Sequence, residues 1–162
     1  MKVVSKINKV LAQVEGAVMV VWFAIVLIMM ACQVVSRYVF NAPISWSEEF
    51  ARYSFVWISY IGCAYCVAVD AHTGITAIRD KMPIRLKKVV TVLGNIIVAV
   101  VFICILPIAM KFIGKNSKFL TSMMRIPYKY LYYSLPVGCV LTVIHLILKS
   151  ILIFAPDTIE KA

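Results

Sequence analysis

The chain has 162 residues, of which 63% are hydrophobic and 15% charged, and it carries a net charge of +10. Soluble domains average about 45–50% apolar and about 25% charged residues, so the composition excludes an ordinary soluble domain and a disordered chain. The length allows one domain, and a positive balance in so apolar a chain points to membrane topology and anionic lipid before nucleic acid.

Lys2, Lys6 and Lys9 open the chain among Val, Ile and Leu at helical spacing. Residues 1–12 fit either a short amphipathic helix on the membrane surface or the first turn of a first span. A basic start before an apolar run resembles a signal peptide. This run exceeds the usual h-region of about 7–15 residues, and no A-x-A-like site follows it. Met30-Ala31-Cys32 is a poor lipoprotein cleavage site, so an uncleaved signal anchor is expected.

Four stretches carry no charge: 16–36, 53–69, 89–110 and 130–148, with 21, 17, 22 and 19 residues. A helix crossing about 30 Å of hydrocarbon needs about 20 apolar residues. The second stretch reaches that length by borrowing a turn from 46–52. Backbone polar groups in lipid must be satisfied internally, which selects helices, and the runs lack the two-residue alternation of a β-barrel. The expected fold is all-α, an integral membrane bundle of four transmembrane helices forming a single membrane domain over 1–162. The spans are expected at about 14–39, 46–70, 87–113 and 129–154. An even number of spans puts both termini on one side. That side collects ten Lys and Arg against seven on the other, so both termini are expected to be cytoplasmic.

Between the first two spans lies the segment Arg37-Tyr38-Val39-Phe40-Asn41-Ala42-Pro43-Ile44-Ser45-Trp46-Ser47-Glu48-Glu49-Phe50-Ala51-Arg52. Pro43 disfavours helix at the residue before it and ends the first helix. Ser45-x-x-Glu48 reads as a capping box opening the second. Glu48 and Arg52 stand four apart, and Glu49 and Arg52 three apart, so ion pairs within one helix are expected. Tyr38, Phe40, Trp46 and Tyr53 suit an interfacial aromatic belt. All of this fits a helix start with anchors, and it equally fits a face turned to a partner, since charges at membrane depth pair or line a cavity. Trp46, Glu48, Glu49, Arg52 and Trp57 are therefore the candidate subunit-interface or structural ion-pair residues.

The second loop carries Arg79, Lys81, Arg85, Lys87 and Lys88, expected to contact inner-leaflet headgroups at about 1 kcal/mol each. It shows no nucleic-acid motif or aromatic interleaving. Cys63-Ala64-Tyr65-Cys66 is a C-x-x-C in an apolar span without a second pair or nearby His, so zinc is not expected. With Gly62 it reads as a small-residue packing patch. The third loop is basic although it falls on the outer side. Lys115, Lys118, Arg125 and Lys129 are candidate docking residues for a soluble partner, with headgroup contact as the plainer alternative. Pro107 and Pro136 sit toward the outer ends of spans three and four. No Asp, Glu, Lys or Arg falls inside the four charge-free runs. A carrier of charged solute or protons usually needs such groups or broken midplane helices, so the chain reads as a partner or scaffold subunit.

Arg37-Tyr38-Val39-Phe40-Asn41 and Trp46-Ser47-Glu48-Glu49-Phe50-Ala51-Arg52, followed by Trp57, Gly62 and His72, resemble the small membrane subunit of tripartite ATP-independent periplasmic (TRAP) transporters, the DctQ-like family. Ile126-Pro127 and Tyr133-Ser134-Leu135-Pro136-Val137-Gly138 look like that family's entry to its fourth span. The chain departs from the family at Val67-Ala68-Val69-Asp70, where an Arg is common. The resemblance implies a multi-pass subunit of the bacterial inner membrane that is not an enzyme and binds no cofactor. Its implied partners are a large elevator-type permease, in which sodium coupling is expected, and a periplasmic binding protein that delivers an organic acid, a sialic acid or a C4-dicarboxylate. An alternative is a haem-binding anchor subunit of an electron-transfer complex, which needs two His at matching depth; His72 and His145 are the candidates. A self-sufficient multidrug exporter fits less well, because the first span lacks an acidic residue.

Overall fold

A computed structural model of the protein describes residues 2–69 and 83–153. Helix α1 spans Lys2–Val39, α2 Ser45–Ala68, α3 Ile84–Asn116, the single turn α4 Lys129–Tyr132, and α5 Ser134–Ile153. Among the described residues the fold is all-helical, with one isolated β-bridge between Leu120 and Pro127. Among the described residues three stretches are long and apolar enough to cross a membrane: Val4–Val39, Val89–Asn116 and Lys129–Leu152. Helix α2 has 24 residues, about 36 Å at 1.5 Å per residue. Glu48, Glu49 and Arg52 in its first two turns, and three tyrosines further on, make it less apolar than the others.

Helix α1 runs without a break through residues 2–39, so residues 2–12 are continuous with the first apolar run. At about 57 Å it is far longer than about 30 Å of hydrocarbon, and such a helix must tilt or project into the headgroups. It stops where Asn41 takes a left-handed φ of 49°, a conformation Asn tolerates better than most residues. The Ala42 amide then bonds the Ser36 carbonyl at 3.1 Å, and Pro43 prevents continuation.

The expected capping box is absent at the start of α2. The N-cap is Ile44, and no side chain caps it. The turn is held from α1: Gln33 Oε1 accepts the Ile44 amide at 2.8 Å, and the Ser47 hydroxyl donates to the Ile44 carbonyl at 2.7 Å. Ser45 thus falls one position inside the helix, and Gln33 of the preceding helix accepts the N-cap amide, the bond that the Glu of a capping box would accept.

The helices pack in a row. Helices α2 and α5 form the centre, α1 flanks α2 and touches α5, and α3 flanks α5. This is a single layer more than a closed bundle, since α1 and α3 occupy opposite edges without extensive contact. At the centre Ala64 and Cys139 are fully buried. A Cβ added to Gly138 would lie 2.7 Å from Tyr60 Cβ and 3.0 Å from the Tyr60 carbonyl oxygen, so the α2 and α5 backbones approach only because position 138 has no side chain. The expected small-residue patch also packs, with Gly62 facing the Met19 sulfur. Pro136 lies in the first turn of α5, where its missing N–H has no intrahelical partner to lose. Pro107 sits inside α3. At the far end of α2 the Lys149 ammonium donates to the Val67 carbonyl, a cation on a helix C-terminus.

Candidate functional site

The end of the row that carries the α1–α2 corner also carries the 117–128 loop and α4. Adjacent acidic residues on α2 hold this end together in two directions. Glu48 turns back to α1, and its Oε1 accepts Arg37 Nη2 at 3.1 Å, with both side chains about half exposed. An exposed pair of this kind contributes about 0–1 kcal/mol.

Glu49 turns to the loop. Its Oε1 accepts the Ser122 amide at 3.2 Å, and its Oε2 accepts the Met123 and Met124 amides at 3.0 and 2.8 Å. The Tyr53 hydroxyl adds a fourth donor at 3.3 Å. Three successive backbone N–H groups aimed at one carboxylate make charge-assisted bonds, the stronger kind. The expected ion pairs of Arg52 with Glu48 and Glu49 do not form. Both carboxylates have partners from other elements, Arg37 and the loop backbone, and Arg52 lies exposed.

The loop is a tight hairpin. Thr121 and Ile126 bond through the Thr121 amide at 3.0 Å and the Thr121 hydroxyl, which accepts the Ile126 amide at 3.0 Å. The Tyr128 amide bonds the Phe119 carbonyl at 2.9 Å. Arg125 takes a φ of 50°, which is uncommon for a residue with a Cβ. The outward side chains are Phe119, Leu120 and Met123, at 62%, 57% and 62% exposure, together with the exposed Lys118 and Arg125.

Of the expected docking residues, Lys118 and Arg125 stand on this hairpin. Lys115 is exposed in the last turn of α3, and Lys129 opens α4 with its Nζ 5.2 Å from the Tyr130 ring centre. Trp57 anchors α4 from α2, its indole N–H donating to the Tyr130 carbonyl at 3.2 Å while its ring stacks on Trp22 of α1 at 6.2 Å. Trp46 is exposed and meets Phe50 edge-on. Arg79, Lys81 and His72 lie outside the described residues, as do the side chains of Arg85, Lys87 and Lys88.

One polar cluster is not legible in the sequence. His145 of α5 is fully buried, and Glu15 of α1 is 5% exposed. His145 Nε2 meets both Glu15 oxygens at 3.1 and 3.2 Å, and Nδ1 meets Asn8 Oδ1 at 2.6 Å. Asn8 and Glu15 are seven residues apart, two turns on one face of α1. Glu15 borders the first charge-free run, and only the unbroken α1 with α5 packed on it buries the residue. The seven-residue spacing was the available signal, but nothing in the sequence says which helix covers that face. With both ring nitrogens engaged, His145 has none free for iron, and no observation favours the haem alternative. Among the described residues no three His, Cys, Asp or Glu side chains gather as a metal site.

Comparison with known proteins adds the following. The family model for the DctQ component of tripartite ATP-independent periplasmic transporters matches residues 25–155. The sialic acid TRAP transporter small permease protein SiaQ of Vibrio cholerae is 29% identical over 137 residues, 85% of this chain and 79% of that protein. The sialic acid TRAP transporter permease protein SiaT of Haemophilus influenzae is 30% identical over 99 residues, which are 61% of this chain but only 15% of that protein.

Proposed function

Because this chain belongs to the DctQ component family of tripartite ATP-independent periplasmic transporters, a transporter membrane subunit and not an enzyme, we propose that it is the scaffold beside which a large elevator-type permease moves its substrate. The family match across most of the chain carries this reading. The relation to SiaT supports it: a segment like this one occupies a small share of that much longer permease, as expected for a module that works beside a larger one. The helix row supports it too, because a layer with many exposed apolar side chains and two overlong outer helices suits a rigid flank for a moving neighbour.

The complex lies in the bacterial inner membrane. All four long helices cross it, with α2 as the fourth crossing and both termini in the cytoplasm. Sodium coupling resides in the large subunit, and a periplasmic binding protein delivers sialic acid, the substrate that names SiaQ and SiaT. The α1–α2 corner and the hairpin then face the periplasm, where Lys115, Lys118, Arg125 and Lys129 steer an acidic surface of the binding protein. Trp46 and Arg52, exposed at that end, are available to the permease. Arg79, Lys81, Arg85, Lys87 and Lys88 meet the inner leaflet.

The test is affinity purification of the tagged chain from inner membranes, followed by reconstitution in sodium-loaded vesicles with labelled sialic acid. A large permease should co-purify, and sodium-driven uptake should require both subunits. Recovery without a permease would refute the scaffold reading. Uptake of a C4-dicarboxylate in place of sialic acid would change the substrate alone.

A further inference from the structure

A carboxylate on a membrane helix normally finds a cation or water. Glu49 instead binds three consecutive backbone amides, Ser122, Met123 and Met124, more than 70 residues away. Those amides lie at the tip of the hairpin, where Ser122 and Met123 are exposed and no turn partner on the opposite strand reaches them. The hairpin's own bonds stop at Thr121–Ile126. Beyond that rung the tip is closed by Glu49 and carries Arg125 in its left-handed conformation.

We propose that Glu49 is a positioning residue: its carboxylate latches the 117–128 hairpin to the second turn of α2 and so fixes the surface that Lys118, Arg125 and Met123 present to the acidic face of an incoming soluble binding protein. The proposal rests on the docking reading above. A flexible loop would lose conformational freedom on binding, at about 0.5–1.5 kcal/mol for each immobilised long side chain, whereas a pre-formed hairpin has already lost much of it. Glu48, one residue earlier, has no part in this; it bonds Arg37 on the opposite side of the corner. The two neighbours therefore make opposite predictions, which a general role in starting α2 would not.

The experiment uses the full chain in lipid nanodiscs with its co-purified permease, and reads amide hydrogen exchange at 122–124 and affinity for the binding protein loaded with sialic acid. Glu49→Ala should speed exchange at these amides by about tenfold or more, as charge-assisted bonds are lost. It should also weaken binding-protein affinity about three- to tenfold at low salt, through the freedom restored to the tip. Glu49→Gln, which keeps one acceptor oxygen and the side-chain volume, should fall between Glu49→Ala and the wild type. Glu48→Ala should leave the exchange at 122–124 unchanged. Unchanged exchange in Glu49→Ala would overturn the latch, as would fast exchange at 122–124 in the wild type, a result that needs no variant to fold. Faster exchange with unaltered affinity would overturn the positioning role if Lys118→Glu with Arg125→Glu still weakens binding. Unaltered affinity in that charge-reversed variant would overturn the docking reading alone, and the latch would then be decided by the amide exchange.

Discussion

The Glu15–His145 contact is the strongest test of the tertiary packing, because it joins the first and last long helices through groups that do not tolerate isolation. Glu15→Ala removes both oxygens that meet His145 Nε2 at 3.1 and 3.2 Å, inside a site where the imidazole is fully buried. Leaving a buried hydrogen-bonding partner unsatisfied costs about 1–3 kcal/mol, and more where that partner is charged. His145→Ala should cost a similar amount by stranding Glu15. Removing both leaves neither stranded, so Glu15→Ala with His145→Ala should cost less than the two singles together, with a coupling of about 1–3 kcal/mol. The assay is reversible unfolding in mixed detergent micelles followed by tryptophan fluorescence, since Trp22 and Trp57 stack across α1 and α2. A Glu15→Ala cost below about 0.5 kcal/mol, or strict additivity in the double variant, would show that the pair is not desolvated and would refute the reasoning.

Other outcomes follow from the same geometry. Gly138→Val should destabilise the chain by at least about 1–3 kcal/mol in the same unfolding assay, because its Cβ would meet the Tyr60 backbone at 3.0 Å. Gly94→Ala, where an added Cβ meets nothing within 4 Å, should be tolerated in that assay. Ser45→Ala should change stability by less than about 0.5 kcal/mol, because Ser45 is not the cap, whereas Gln33→Leu strands the Ile44 amide and should cost about 1–3 kcal/mol. Arg37→Ala should cost no more than about 1 kcal/mol, and its effect should shrink further in high salt, as read by thermal unfolding in detergent.

Family membership and the helical character were legible because both are written in local features: long apolar runs, charges at their ends, and the two motifs around residues 37–52. A helix in lipid satisfies its own backbone, so its existence needs no knowledge of neighbours. The basic third loop was also visible as a departure from the charge rule, although nothing in the sequence showed that Lys118 and Arg125 share one hairpin.

The sequence by itself determined where helices form and where α1 must stop, since Asn41 and Pro43 act on their own backbone. Only the tertiary structure decided the partners of the polar groups. Local spacing offered Arg52 to Glu48 and Glu49, but Arg37 across the corner and three loop amides took them. Ser45 looked like a cap, but Ile44 is the N-cap and Gln33 of the preceding helix accepts its amide. Glu15 stands just before a charge-free run, and α5 brings the buried His145 against it. The local alternative was worth only a few tenths of a kcal/mol, so partners brought by other elements displaced it: Arg37 across an exposed corner, three amides converging on one carboxylate in charge-assisted bonds, and, at Glu15, a buried imidazole.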